Sequence, residues 1–159
     1  MPSGKVHAQC SLVLAVPAFG FVAGATGDNI AAGTCALGCL LGIMLTPDLD
    51  QEGLSSSENA LVKYTLGLGF LWAMLWYPYA RLIKHRSPLS HFPLIGTAGR
   101  LLYLGLLLLI PSYWGWHLIQ PPPETLRLLL FALGGLILSD TGHWILDTKF
   151  GDKPKRRRA

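Results

Sequence analysis

Charge is what this chain has least of. Only 14% of its 159 residues are Asp, Glu, Lys or Arg, while 51% are hydrophobic. An ordinary soluble domain carries about a quarter charged residues. Residues 8 to 27 have no charged side chain, nor do residues 29 to 47, and Arg100 is the only fixed charge between Ser87 and Pro123. Cysteine is also scarce. Cys10, Cys35 and Cys39 are an odd three, without a C-x-x-C pair, so neither a disulfide framework nor a cysteine metal site is expected. Cys35 and Cys39, one helical turn apart in an apolar run, read as small core residues. No internal repeat is visible. The net charge of +4 comes largely from the tail Lys153-Pro154-Lys155-Arg156-Arg157-Arg158. No aromatic-interleaved basic surface accompanies it, so no nucleic-acid partner is expected. A basic tail after a last span is a topology signal and a contact for anionic lipid.

What the chain does have is apolar runs long enough to span a bilayer, which takes about 20 residues. The expected fold is all-α: an integral membrane helix bundle of about four spans plus a re-entrant or interfacial segment. Residues 1–150 would form one transmembrane metal-binding domain, and 151–159 a basic cytoplasmic tail. The expected helices run from about His7 to Thr26, Ile30 to Leu45, Phe92 to Ile110 and Glu124 to Asp147. The first is read as a mature helix, because no small-x-small site ends it before the next apolar run. Gly33, Gly38 and Gly42 suit close helix packing. Ser57 with Asn59 offers an N-cap after the polar loop 51–59. Residues 60 to 83 carry Gly67, Gly69 and a breaking Pro78, with Trp72, Trp76, Tyr77 and Tyr79 suited to a membrane interface.

Three polar islands interrupt the apolar sequence. They are Pro47-Asp48-Leu49-Asp50, His85-Arg86-Ser87-Pro88-Leu89-Ser90-His91 and Asp140-Thr141-Gly142-His143-Trp144-Ile145-Leu146-Asp147. His7 stands at the head of the first apolar run. Ionisable groups in such a chain need a stabilising partner, and clustered Asp and neutral His suit Zn, Mn, Fe or Mg. Asp140, His143 and Asp147 fall on one helical face. Asp48 and Asp50 follow a proline at a helix end, where an extended chain would point them apart, with Asp48 the first choice as ligand. His85 and His91 flank a loop that Pro88 should keep non-helical.

If residues 60 to 83 leave one membrane face and return to it, His7 and all three islands meet on that face. Lys5, Arg81, Lys84, Arg86, Lys149 and the tail then share it. The positive-inside rule makes it cytoplasmic, with both termini inside. The metal candidates are therefore His7, Asp48, Asp50, His85, His91, Asp140, His143 and Asp147. Arg86 could hold a carboxylate or a phosphate.

These motifs resemble a family of metal-binding membrane proteins of unknown function, common in cyanobacteria. The likeness rests on His85-Arg86-Ser87-Pro88-Leu89-Ser90-His91, Pro93-Leu94-Ile95-Gly96 and His143-Trp144-Ile145-Leu146-Asp147, and it extends over nearly the whole chain. The LexA-regulated, membrane-bound metal-dependent hydrolases are also similar, with a His-Arg loop one residue shorter and no long insert before it. The ligand set is similar, by analogy, to that of zinc-dependent phospholipase C and P1-type nucleases. The resemblance implies a divalent metal, Zn first among the candidates, and two ions about 3.5–4 Å apart as in two-metal hydrolases. It implies a metal-dependent hydrolase in which activated water attacks a phosphoester or other polar ester. Asp50 or Asp140 would take the proton and Arg86 would steady the developing charge. The bilayer and a lipid-linked or phosphoester substrate are the implied partners. The rival reading is a non-catalytic structural or metal-delivery protein.

Overall fold

The computed structural model describes residues 3–51, 53–65, 67–85, 87–113 and 122–150. Within them the chain is wholly helical: α1 (Gly4–Thr26), α2 (Asn29–Leu41), a 3-10 turn (Pro47–Asp50), α3 (Ser56–Tyr64), α4 (Leu68–Leu82), α5 (Pro88–His91), α6 (Pro93–Tyr113) and α7 (Pro123–Phe150). The basic tail expected at 151–159 lies outside the described residues.

Helices α1, α2 and α7 pack together around Ala15, Ala18, Val22, Ala31, Ala32, Cys35 and Cys39. Gly27, at φ 68°, ends α1 in the left-handed region. Asp28 then caps α2, accepting from the Ile30 and Ala31 N–H groups at 2.8 and 3.0 Å. The α2–α7 contact is backbone on backbone. A Cβ at Gly38 would collide with the Ala132 carbonyl, and one at Gly135 with the Cys35 carbonyl. Small residues permit that approach. The Cys39 thiol donates to the Gly135 carbonyl at 3.1 Å.

A second cluster forms where α4 meets the 3-10 turn and α6. Leu49, Trp76 and Tyr79 are buried there, with the Tyr103 ring tilted against Trp76 and Tyr79. Trp76 and Tyr79 are thus core residues rather than interfacial ones.

Several local expectations change. Among the described residues, α1 (23 residues) and α7 (28 residues) are the helices long and apolar enough to cross a membrane; Asn29–Leu41 and Pro93–Leu107 are apolar but shorter. The four-span bundle is therefore not confirmed, because α2 gives way to turns after Leu41. Residues 60 to 83 form parts of two helices, α3 packed on α4, divided near Gly67 at φ 91°. Pro78 does not break α4: the helix runs on through it to Leu82 at an exposed position, forgoing the one backbone hydrogen bond that the missing N–H would have made. The cap of α3 is Ser55, which with Glu58 makes a capping box. Pro88 begins the one-turn helix α5 instead of preventing it, as proline at the first helical position does.

Candidate metal centre

Each candidate ligand is placed by a helix end or a short turn. His7 is on the second turn of α1, and His143 and Asp147 lie near the end of α7. Thr46 caps the 3-10 turn, with Pro47 at its start, and that turn carries Asp48 and Asp50. Ser87 caps α5, which ends on His91. His85 lies between α4 and α5.

The structure brings seven of the eight candidates into three overlapping groups: His7, His143 and Asp147; Asp48, His91 and His143; Asp50, His85 and His91. Asp147 Oδ1 is 3.2 Å from His7 Nε2, and its Oδ2 is 3.4 Å from His143 Nε2 and 3.8 Å from His91 Nε2. Asp48 Oδ1 is 3.8 Å from both His91 Nε2 and His143 Nε2. The 3-10 turn, not an extended chain, directs Asp48 and Asp50 to opposite sides of one ring. Asp50 Oδ2 lies 3.5 Å from His91 Nδ1, and Oδ1 lies 2.6 Å from His85 Nδ1.

These spacings decide what the cluster can hold. The Nε2 atoms of His91 and His143 are buried and have no hydrogen-bond partner. A buried polar atom is normally paired. A tetrahedral ion with bonds of about 2.0–2.2 Å sets its donors about 3.3–3.6 Å apart. The separations around Asp48, His91, His143 and Asp147 run from 3.4 to 3.8 Å. They are longer than ordinary hydrogen bonds and close to the edges of a coordination shell, so the residues fit a divalent ion. The Asp50–His85 contact is different: it closes as an ordinary hydrogen bond.

The chain belongs to the family of uncharacterized metal-binding proteins (DUF2227), which matches residues 2–158. No curated protein and no solved structure matches it. Metal binding in this DUF2227 protein thus rests on its family and on the geometry of the cluster.

Charge balance favours ionised carboxylates beside a protonated imidazole when no metal is bound. Burial raises the Asp48 pKa, but the imidazoles of His91, His143 and His7 around it carry it below the ordinary value. Asp50 behaves likewise, with Ser90 and His85 adding to His91. Burial pulls His91 down, yet Asp48 and Asp50 hold its pKa up at about 9.

The eighth candidate, Asp140, stands apart from the three groups. It is buried and accepts from Arg100 Nη2 and Thr97 Oγ1. Arg86 lies outside the described residues. Sequence reasoning missed the partners that orient the ligands. Thr46 Oγ1 lies 3.5 Å from His143 Nδ1, and Ser90 Oγ 2.9 Å from His91 Nδ1. Neither hydroxyl carries a signal in sequence. Arg100 does, as a lone charge in an apolar run.

Proposed function

We propose that this protein is a membrane-embedded, divalent-metal-dependent hydrolase acting on a phosphoester or other polar ester at the cytoplasmic face. The observation that carries the reading is a cavity of about 210 Å³ opening onto the cluster, lined by His7, Asp48 and His143. A structural metal site is closed, whereas a catalytic one keeps a position open to substrate. Lys5, Ser55, Ser56 and Ser57 line the same cavity, together with apolar Ala8 and Ile43. A cation and several donors suit an anionic group, and the apolar wall suits a lipid-linked one.

His7, Asp48, His91, His143 and Asp147 would hold the principal ion. Asp50, His85 and His91 would make a weaker second seat, because Asp50 and His85 already satisfy each other. A bound divalent ion supplies Lewis acidity toward the substrate oxygen and lowers the pKa of water. Asp50, almost fully buried, faces the Nδ1 edge of His91 and hydrogen-bonds His85, so it would steady those two rings and would reach an attacking water only at the second seat. Asp140 is engaged by Arg100 and, like Asp50, does not line that cavity.

Membrane embedding is supported by the apolar outer surface. Val16 and Phe21 on α1 are 75% and 77% exposed, and α7 exposes Leu126, Leu129 and Leu130. Monomeric soluble proteins rarely leave large contiguous patches of this kind uncovered.

The test is metal content of the detergent-purified protein by mass spectrometry, followed by hydrolysis of a panel of phosphoesters with each metal. One or two ions per chain and metal-dependent turnover are expected. His143→Ala should abolish both. An Asp50→Asn/His85→Ala double variant should retain the principal ion. A metal-loaded protein silent on every ester would favour the non-catalytic reading, and a folded protein that takes up no Zn or Mn would overturn both.

A further inference from the structure

Arg100 is 1% exposed on α6, and its guanidinium spans two elements. Nη2 donates to the Asp140 carboxylate on α7, and Nη1 donates to the Ser90 carbonyl at 3.2 Å. Thr97, one turn earlier on α6, donates to the same Asp140 oxygen. Gly96 makes the contact with Ser90 possible. A Cβ there would collide with the Ser90 carbonyl and stand 3.4 Å from Arg100 Nη1.

Two groups face the Nδ1 edge of His91: Asp50 Oδ2 at 3.5 Å and, closer, the hydroxyl of Ser90. Ser90 Oγ donates to the Ser87 carbonyl at 3.1 Å. It is then the acceptor for a hydrogen on His91 Nδ1, 2.9 Å away. A histidine that donates from Nδ1 presents the lone pair of Nε2, and such outer contacts fix the tautomer of metal-binding histidines. His91 Nε2 is the atom that faces Asp48 and Asp147 at 3.8 Å.

A buried ion pair is a weak stabiliser, since apolar residues of similar volume often hold two helices as well. A guanidinium fork joining a carboxylate to a loop carbonyl does something apolar residues cannot, which is to set direction. We propose that Arg100 and Asp140 are positioning residues that hold Ser90, and through it the His91 ring, in the orientation that presents Nε2 to the metal. The proposal rests on the reading of His91 as a ligand.

The experiment measures Zn affinity by competition with a chromophoric chelator, and the visible spectrum of the Co-substituted protein, in detergent. Wild type is compared with Ser90→Ala, Arg100→Met, Arg100→Lys and the Ser90→Ala/Arg100→Met double variant, with thermal unfolding beside each. Ser90→Ala and Arg100→Met are each expected to weaken Zn binding about 10–100-fold, with an altered Co spectrum. The double variant should lose little more than the worse single one, because both act on one ring. Arg100→Lys keeps a charge for Asp140 but has no fork to reach Ser90, so it should recover stability and not affinity. If Arg100→Met fails to fold, Ser90→Ala and Arg100→Lys still decide the matter. Variants that lose thermal stability while keeping wild-type affinity and spectrum would overturn the proposal. A wild type that binds no metal would instead remove the ligand reading beneath it.

Discussion

The imidazole rings of His7 and His143 stack, 3.7 Å between centroids and 12° from parallel. One ring comes from the start of α1 and the other from near the end of α7, and Asp147 lies against the Nε2 of both. His143 also belongs to the group with Asp48 and His91. Substitution should therefore be graded. His143→Ala removes a donor common to two groups and should reduce Zn affinity well beyond the about 10–100-fold that follows loss of an outer partner. His7→Ala removes a donor from one group and should fall between. Competition titrations of the two variants against wild type measure the order. Equal losses would mean that the groups are filled independently.

Proton and metal compete for His91. With its pKa at about 9, the ring is protonated near neutral pH in the metal-free protein. The folded value lies above the ordinary 6.5. The stabilising pairing with Asp48 and Asp50 is thus complete below the ordinary value and fades as pH rises through about 9. Metal affinity runs the opposite way, because the ion must displace that proton. From about pH 7 to about pH 9 it should climb by roughly one log unit per pH unit and then level off. Asp48 and Asp50, lowered, stay ionised throughout and add no slope. Competition titrations across this range, with stability of the metal-free protein followed beside them, check both signs. A flat affinity profile would take His91 out of the shell.

The polar islands made the candidate ligands legible because ionisable residues in an apolar chain have few other reasons to be there. Helix existence was legible too, from charge-free runs. Their ends were less so. α2 stops at Leu41 because turns follow, although the sequence stays apolar through Leu45. The Ser55–Glu58 capping box is present in the sequence as S-x-x-E, but the cap expected was Ser57 with Asn59. Asp140 matched its helical face but not its partner. The spacing to His143 said nothing of Arg100, which reaches it from another helix. Trp76 and Tyr79 looked interfacial by type, and only the packing of α4 on the 3-10 turn shows them buried.

Ser56 tests the membrane arrangement. It is exposed at the start of α3 and lines the cavity beside the cluster, while Cys35 and Cys39 are buried and Cys10 is half-buried. A Ser56→Cys variant in sealed vesicles should react with an impermeant thiol reagent only when the cytoplasmic face is outward, and wild type should react little. Labelling from the opposite face would invert the orientation that the positive charges assign. Labelling from both faces in a soluble fraction would remove the membrane itself.

The α2–α7 contact yields a prediction whose sign depends on a single turn of helix. Gly33 and Gly38 both lie within α2, where glycine costs about 0.5–1 kcal/mol relative to alanine. A Cβ at Gly33 meets nothing within 4 Å among the described residues, whereas at Gly38 it meets the Ala132 backbone. Gly33→Ala should therefore stabilise by up to about 1 kcal/mol. Gly38→Ala should destabilise by about 1–3 kcal/mol, because the backbones of α2 and α7 must separate. That separation also shifts His143, three turns along α7 from the contact, so Gly38→Ala should weaken Zn binding while Gly33→Ala leaves it alone. Thermal unfolding in detergent with and without Zn measures both effects. Two alanines of the same sign would show that the helices are not in backbone contact at Gly38.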